Sequence, residues 1–394
     1  MKTIKITLFL FLLIIFSFFL LRYEKDNTIK DSIDQKDAPQ ISSDIIRIGV
    51  IEPMSGAAAS GGEMTMEGIQ LAHKLYPNVL GKNVELVIKD NKSDRVEAGK
   101  AASELIEDEK VVSIIGSYGS SLSLAIGEVI KEAKIPVVGC SPTNPNVTLK
   151  NDYYFRVCFI DPYQGTVMAE YAVKDIHAKR AAVIYDTIQD YSIGLANYFM
   201  DSFKQQTENE ESIVYIGTYS SGNKDFTEQI IQIQNAEPDV VFIPGNYVES
   251  AFFIKQARQK GINVPILGGD TWESPEFIEI GEGYTEGAVF STHFSSNSMV
   301  TEISRFFVEE YMKEYNKEPS AFSALGFDAY IMLLDALKRG NSSEPQRIRD
   351  SLAQTKNFIG ATGIITLDIN GDAKKSAVIK TVEEGKFKYI TFIE

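Results

Sequence analysis

The sequence is poor in the residues on which metal sites, disulfide frameworks and nucleic-acid surfaces depend. Its 394 residues include two cysteines, three histidines and one tryptophan, and the formal net charge is −15. The acidic balance disfavours nucleic acid or an anionic membrane surface as a partner, because both select basic patches. The chain has no Cys/His metal cluster and no Walker loop, so no metal or other cofactor is expected. Cys140 and Cys158 are expected to be buried free thiols.

The sequence also lacks the arrangement that nucleophilic catalysis requires. A serine nucleophile needs a positioned base, but His73 falls within a predicted helix and His177 just before a predicted strand. Residues 116–120 (GSYGS) do not match a nucleophile elbow. We therefore do not expect an enzyme.

The amino terminus has the pattern of an export signal. Lys2 and Lys5 precede residues 6–21, which are apolar apart from two hydroxyl residues. Residues 1–21 are predicted to be either a cleaved signal peptide or an uncleaved membrane anchor with its lysines inside, and we favour the anchor. Both alternatives place the rest of the chain outside the cytoplasm. Residues 22–45 are charged and aperiodic, which is typical of a flexible tether.

From residue 46 onward, apolar strands alternate with amphipathic helices. Strand–helix alternation with continuously apolar strands is typical of parallel sheets covered on both faces, and the chain is too long for one ordinary core. We therefore predict an α/β protein with two doubly wound parallel-sheet lobes. The predicted strands are 46–53, 84–90, 111–117 and 135–140, followed by 181–186, 212–219, 239–245 and 264–270.

Two local signals add detail to this pattern. Asp94 and Glu97 form a capping-box-like start of a helix. Asn370–Gly371 predicts a tight turn within a hairpin that spans residues 363–381. The acidic residues around this turn resemble a calcium loop, but the glycine stands at the wrong place for an EF-hand, so the turn is preferred.

Polar and aromatic side chains follow the predicted strands at the ends where open parallel sheets bind ligands. The first half of the chain contributes hydroxyls and a helix N-terminus, and the second half contributes aromatic rings and a carboxylate. These candidate ligand-binding residues are Tyr118, Ser120, Ser121, Ser141 and Thr143 in the first half and Tyr191, Tyr247, Asp270 and Trp272 in the second.

The first-half residues suit a ligand carboxylate. Ser120 or Ser121 is predicted as the N-cap of the next helix, where free N–H groups and the helix dipole favour an anion. Ser141 and Thr143 can add hydroxyl hydrogen bonds. Taken alone, the two adjacent serines are better explained as a simple helix cap.

The second-half residues suit the remainder of a zwitterionic amino acid. Asp270 can bind a ligand ammonium through a charge-assisted hydrogen bond. Tyr191, Tyr247 and Trp272 can flank an apolar or amphipathic side chain. Taken singly, Asp270 could be a turn residue, and the aromatic residues could pack in the core or cap a helix.

The chain as a whole resembles the periplasmic leucine/isoleucine/valine-binding proteins, the solute-binding components of branched-chain amino acid ABC transporters. The resemblance extends from residue 46 to the C-terminus. It is carried by the segments IRIGVIEPMSGAAASGGEMTMEGIQLA, IIGSYGSSLSLAI, SPTNPNVT, YYFRVCFIDPYQG, AAVIYDTIQDYSIGLA, KDFTEQI, PDVVFIPGNYVES, KQARQKGINVPILGGDTWESPEF and EPSAFSALGFDAYIMLLDAL.

This resemblance implies a type I periplasmic-binding fold whose lobes are joined by three crossovers. The crossovers are expected near Ile160–Asp161, Ser291–Thr292 and Ala377–Val378. The implied N-terminal lobe comprises residues 46–160 and 292–377, and the C-terminal lobe residues 161–291 and 378–394.

The resemblance also implies roles for individual residues. Ser120, Ser141 and Thr143 are expected to bind the α-carboxylate and α-ammonium of the ligand. Asp270 stands where the family often has an acid for the ammonium. The implied aromatic neighbours of the ligand are Tyr191, Tyr247 and Phe322.

One position departs from the family pattern. Gly61 stands where members often have an aromatic residue that covers the ligand side chain. The missing ring predicts additional space and therefore a side chain larger than, or different from, leucine.

The function expected from these observations is that of an extracytoplasmic solute-binding protein. It would act as a monomer, bind a branched-chain or related amino acid in the interlobe cleft by hinge closure and deliver it to ABC permease subunits. The alternative is a sensor domain for an amino acid or other small organic anion that reports to a membrane signalling partner.

Overall fold

The computed structural model describes residues 42–393. The predicted signal or anchor and nearly all of the predicted tether lie outside these residues. Within residues 42–393, no helix combines the length and the apolarity needed to cross a bilayer.

The described chain alternates strands and helices as the sequence predicts. In chain order the elements are β1 (Ser42–Glu52), α1 (Ala59–Leu75), β2 (Asn78–Val79), β3 (Lys82–Asp90), α2 (Arg95–Glu107), β4 (Ser113–Gly116), α3 (Ser120–Ala133), β5 (Val137–Gly139), β6 (Tyr154–Arg156), α4 (Asp161–Lys174), β7 (Ala181–Asp186), α5 (Asp190–Thr207), β8 (Ile213–Tyr219), α6 (Thr227–Ala236), β9 (Val240–Phe242), α7 (Tyr247–Gln259), β10 (Ile266–Gly268), α8 (Pro275–Gly281), β11 (Val289–Thr292), α9 (Glu302–Tyr315), α10 (Ala321–Gly340), α11 (Pro345–Ala353), β12 (Phe358–Gly360), β13 (Gly363–Leu367), β14 (Ala373–Lys374), β15 (Ala377–Glu383) and β16 (Lys386–Ile393). Short 3₁₀ turns occupy Pro145–Val147 and Asp270–Trp272.

A six-stranded sheet forms the centre of the first lobe, in the order β2-β3-β1-β4-β5-β6. Strands β1, β4, β5 and β6 are parallel neighbours. Because side chains alternate along a strand, Ile48 and Val50 pack towards α1 and α10, whereas Ile51 packs towards α2 and α3. The sheet is therefore covered on both faces, as predicted.

A seven-stranded sheet forms the centre of the second lobe, in the order β16-β15-β11-β10-β9-β7-β8. Its neighbouring strands β8, β7, β9, β10 and β11 are parallel, and β15 and β16 add an antiparallel edge. Val183 and Phe242 pack on the side of α4 and α5, and Ile184 and Ile243 on the side of α7. The predicted doubly wound architecture is confirmed for this lobe as well.

The chain passes between the two lobes three times within the described residues, after β6, after β11 and after β14. Ser291 and Thr292 are still paired inside the second sheet, with Ile379 and Val378. The second passage therefore begins at the end of β11, and the third ends at the start of β15. Because these two strands are paired, the two passages are adjacent.

The predicted single hairpin across residues 363–381 is wrong beyond Lys374. Strands β13 and β14 do pair, but within a small antiparallel sheet that also contains β12. The following strand, β15, belongs to the second lobe instead. The tight turn is confirmed, since the Gly371 N–H donates to the Asp368 carbonyl at 3.1 Å.

The helix start at Asp94 is half of a capping box. The Asp94 carboxylate accepts from the N–H groups of Val96 and Glu97 at 2.8 and 3.0 Å. The Glu97 carboxylate is instead paired with Lys92 at 2.9 Å. The helix boundary was thus predicted correctly, and the second side chain has another partner.

Candidate ligand-binding cleft

A narrow cavity lies where the carboxyl ends of the two sheets face each other. Its volume is about 30 Å³. Six of the ten sequence-predicted site residues line it: Tyr118, Ser120, Ser141, Tyr191, Asp270 and Phe322. The remaining lining residues are Gly119, Gln189, Asn246 and Thr271.

The serine N-cap prediction is wrong by one residue. Helix α3 begins at Ser120 and its N-cap is Gly119, which has φ of +79°. The Ser120 hydroxyl accepts a hydrogen bond from the Asn144 N–H at 3.0 Å. Because the first N–H groups of a helix have no partner within it, the start of α3 still presents donors to the cavity, and Ser120 ties it to the loop after β5.

The loop after β5 is held from behind by a buried arginine that sequence analysis did not single out. Arg156 is fully buried, and its Nη1 donates to the carbonyls of Pro142 and Asn144 at 2.6 and 2.9 Å. Its Nε pairs with Asp372 at 2.7 Å. These bonds fix the loop conformation, so Asp372 serves the loop and not a calcium site. Arg156 is the last residue of β6, a strand that is not among those predicted from the sequence, so the strand-end criterion could not find it.

The hydroxyls of Ser141 and Thr143 are buried without a hydrogen-bond partner among the described residues. Buried polar groups in native proteins are nearly always paired. Ser141 lines the cavity, whereas Thr143 lies just behind it and accepts from the Asp161 N–H through its carbonyl. Both hydroxyls therefore retain the capacity to bond a ligand.

Asp270 lies at the opposite wall, at the start of a 3₁₀ turn. One carboxylate oxygen accepts from Gln164 Nε2 and from the Tyr191 hydroxyl, both at 2.9 Å, and the other lies 3.0 Å from His293 Nε2. Asp270 and His293 are 1% and 2% exposed. Sequence analysis did not assign His293 a role, because it lies in a crossover and not at the end of a predicted strand.

The charge of Asp270 is not compensated by its histidine neighbour. Burial lowers the pKa of His293 below its ordinary value, although the bond to Asp270 opposes this shift. Burial thus favours the neutral form of His293, and its Nε2 donates to the Asp270 carboxylate. No lysine or arginine within residues 42–393 forms an ion pair with Asp270. A ligand cation would supply the missing positive charge.

A second carboxylate lies close to this wall. Asp161 is fully buried, and neither of its oxygens has a hydrogen-bond partner among the described residues. Burial raises the pKa of Asp161 to about 8 against the opposing effect of the nearby Thr143 side chain, and Asp270 acts in the same direction as burial. Asp161 is therefore largely protonated at neutral pH.

Four predicted site residues do not line the cavity. Trp272 is fully buried in the second-lobe core, stacked on Phe277 with ring centroids 4.8 Å apart, because the 3₁₀ turn directs it away from the cleft. Tyr247 donates across the cleft to the Ala57 carbonyl at 3.1 Å. The remaining two are Ser121, described next, and Thr143.

Contacts between the lobes close the cleft around the cavity. The Ser121 hydroxyl donates to the Asp190 carboxylate at 2.9 Å and accepts from the Asp190 N–H at 3.0 Å. Arg95 and Asn144 also bond Asp190, at 3.0 and 2.8 Å. We call this set the Asp190 latch. The lobes meet on either side of the cavity, and a volume of about 30 Å³ is too small for an amino acid. The lobes must therefore move apart both to admit a ligand and to make room for it.

The additional space predicted at Gly61 is absent, because the ring of Tyr118 occupies it. A Cβ placed on Gly61 would lie 2.3 Å from ring atoms of Tyr118. The missing ring at Gly61 therefore gives no ground for expecting a side chain larger than, or different from, leucine.

Comparison with known proteins identifies the family. A model of the family described as periplasmic binding protein matches residues 45–385. The chain belongs to this family. The predicted resemblance and the type I periplasmic-binding fold are thereby confirmed. Membership indicates an extracytoplasmic location, in agreement with the export pattern at the amino terminus.

Curated relatives and solved structures cover most of the chain. The leucine-specific-binding protein of Salmonella typhimurium is 26% identical over 338 residues, which are 84% of this chain and 89% of that protein. Leu/Ile/Val-binding protein homolog 3 of Brucella melitensis is 24% identical over 332 residues, 83% and 88% of the two chains. These relatives are binding proteins, which confirms the prediction of a non-enzymatic chain.

Two solved structures are similar over most of the chain. The leucine binding protein LivK of Thermotoga maritima is 42% identical with a TM-score of 0.85, covering 88% of this chain and 98% of that one. The substrate binding protein LivJ of Streptococcus pneumoniae, solved with isoleucine, is 30% identical with a TM-score of 0.81, covering 88% and 99%.

Proposed function

We propose that this protein binds an α-amino acid with an aliphatic side chain in the interlobe cleft and delivers it to the permease of an ABC importer. The observation that carries the proposal is the pairing of two unlike walls across one cavity. One wall offers the start of α3 and the Ser141 hydroxyl, which has no hydrogen-bond partner among the described residues. The other offers the Asp270 carboxylate, which has no lysine or arginine partner within residues 42–393.

In this proposal the ligand carboxylate is bound by the first lobe. The start of α3 at Ser120 favours an anion, and the hydroxyls of Ser141 and Thr143 donate to it. These groups lie on one lobe and are held by Arg156, so they can receive the ligand before closure.

The ligand ammonium is bound by Asp270 once the lobes approach. A buried carboxylate without a cation is costly, so an ammonium at this position favours the closed state over the open one. Tyr191 and Phe322 line the remaining wall around the side chain.

An importer is favoured over a sensor because the similar LivJ structure is named as the substrate binding protein of a branched-chain amino acid transporter. We expect the chain to act as a monomer and not to bind nucleic acid, in keeping with its acidic charge. Uptake of labelled leucine into vesicles that contain the permease tests delivery, since a sensor would bind leucine but not stimulate uptake.

A thermal-shift screen over the twenty amino acids tests the ligand class. Binding at roughly 100 times the Kd adds about 2.7 kcal/mol to the free energy of unfolding, and we expect the largest increases in melting temperature for leucine, isoleucine and valine. If organic anions without an ammonium, such as 4-methylpentanoate, raise the melting temperature equally, an amino acid is not the preferred ligand.

A further inference from the structure

Gly61 lies within helix α1 and has no side chain. The ring of another residue occupies the space where a side chain at this position would lie. This glycine lies in the first turns of α1, where glycine is less favourable than alanine. A Cβ at this position would lie 2.3 Å from both Cε2 and Cζ of Tyr118 and 2.8 Å from Cε1. The outer end of the Tyr118 ring thus rests directly on the Gly61 backbone, and any larger residue would displace it.

The Tyr118 ring is fixed from the other sides as well. The Tyr118 N–H donates to Glu52 Oε2 at 2.7 Å, which anchors its backbone at the end of β1. The ring meets Phe322 edge to face, with centroids 4.9 Å apart and planes at 70°. The two residues are 3% and 1% exposed. A ring held by Gly61, Glu52 and Phe322 has little freedom to move aside for a ligand.

The Tyr118 ring lines the cavity and would therefore face the ligand. Tyr118 and Phe322 line the same cavity as Ser120, Ser141 and Asp270. Under the proposed function the last three bind the charged ends of the amino acid, which fixes its Cα. The side chain must then lie against the apolar surface that Tyr118 and Phe322 supply.

We propose, on the basis of the proposed function, that the Tyr118 ring, in contact with Gly61, forms the wall of the cleft that determines which ligand side chains fit. The ring limits the ligand side chain to aliphatic size and excludes aromatic amino acids. Gly61 determines where this wall stands, although the Gly61 backbone need not contact the ligand.

Calorimetry with leucine and phenylalanine tests the wall. For Tyr118→Ala we expect the ratio of the two dissociation constants to shift by at least roughly tenfold towards phenylalanine, since a hydrophobic pocket discriminates side-chain size by such factors. Tyr118→Phe keeps the ring and should keep the ratio within about threefold of the wild-type value. Tyr118→Leu, which retains more of the packing, should shift the ratio in the same direction as alanine. An unchanged ratio in the alanine and leucine variants overturns the proposal.

A double-mutant cycle tests whether the contact with Gly61 fixes the position of the Tyr118 ring. Gly61→Ala should weaken leucine binding in the wild-type background, because the new methyl group displaces the ring. In the Tyr118→Ala background the same substitution should have little effect. Equal losses in both backgrounds would show that Gly61 acts independently of Tyr118 and would overturn this part of the proposal.

The two proposals fail in different ways. If the folded wild-type protein binds no amino acid in the thermal-shift screen, the proposed function fails and the wall proposal fails with it. If leucine binds but selectivity does not respond to the Tyr118 variants, the wall proposal alone is overturned. Circular-dichroism melting of each variant without ligand confirms that the compared proteins are folded.

Discussion

The two halves of the cleft differ in how far their polar groups are already satisfied. In the first lobe, the hydroxyls of Ser141 and Thr143 are buried without partners among the described residues. In the second lobe, Asp270 has three hydrogen-bond partners, but no lysine or arginine within residues 42–393 forms an ion pair with it. One half therefore lacks an acceptor, and the other lacks a positive charge. A zwitterion provides both, which explains why the halves are unlike and why neither alone would select an amino acid.

The largest effect is expected from the charged half. Asp270→Asn keeps the shape of the side chain but removes its charge, and we expect it to weaken leucine binding by about 2–5 kcal/mol, as for one member of a desolvated charge pair. Calorimetry measures the change. Asp335→Asn removes the same charge from a partly exposed position on α10 and serves as the control. Equal affinity of wild type and Asp270→Asn would show that this half does not bind a cation.

The protonated carboxyl between the halves is expected to affect stability. Burial raises the pKa of Asp161 to about 8 from an ordinary value near 3.8, so the folded state holds a proton that the unfolded state releases. Its contribution is complete below about pH 4 and is lost as the pH rises through about 8, by up to about 1.4 kcal/mol per pH unit. Chemical denaturation across this range should show a flatter pH profile for Asp161→Asn.

Glu52 provides an internal comparison for this prediction. Burial also raises the pKa of Glu52 to about 8, so part of the pH dependence should remain in Asp161→Asn. Glu52→Gln should flatten the profile by a similar amount. A profile that neither substitution alters would mean that both carboxyls are ionised in the folded protein.

A smaller effect on ligand affinity is expected from the half of the cleft whose hydroxyls donate hydrogen bonds. Thr143→Val removes a hydroxyl that has no partner among the described residues, so the stability of the ligand-free protein should not fall. Leucine binding should weaken by about 1.5–3 kcal/mol, the typical contribution of a hydrogen bond to a charged group.

Thr148 is the matched control in the same loop region. Its hydroxyl donates to Asp372 at 2.7 Å and accepts from Arg156 at 2.7 Å. Thr148→Val should therefore lower the melting temperature of the ligand-free protein. If Thr143→Val destabilised the ligand-free protein as strongly as Thr148→Val, the Thr143 hydroxyl would be bonded within the ligand-free protein and the prediction would be wrong.

The smallest effect is expected from the contacts that close the cleft. Ser121→Ala removes two bonds of the Asp190 latch, and we expect a few-fold increase in the Kd for leucine because partly exposed contacts contribute little. Small-angle scattering should show a larger fraction of open protein without ligand. Ser103→Ala, which removes a hydroxyl bonded within α2, is the control. Identical scattering and affinity for both variants would exclude a role of the latch in closure.

Much of the fold and part of the cleft follow from strand and strand-end patterns. The rule that ligands lie beyond the carboxyl ends of parallel strands selected Ser120, Ser141 and Asp270, which the structure brings to one cavity. The same rule also selected Trp272, which lies in the core. Strand ends locate the backbone, but the direction of a side chain in a short 3₁₀ turn depends on packing that no local pattern contains.

Other features depend on contacts between residues far apart in the sequence. Arg156 and Asp372 are separated by 216 positions, and Gln164 and Asp270 by 106. The apparent space at Gly61 is filled by Tyr118 from another element. A pattern at one position can show that a side chain is missing, but it cannot show which distant residue replaces it.

The most direct test of the account is a calorimetric cycle that removes one end of the ligand and the group proposed to bind it. Leucine and 4-methylpentanoate, which lacks the ammonium, are titrated into wild type and Asp270→Asn. If Asp270 binds the ammonium, the substitution weakens leucine binding by about 2–5 kcal/mol but leaves 4-methylpentanoate binding unchanged or stronger. Equal weakening of both ligands would contradict the division of the zwitterion between the two lobes.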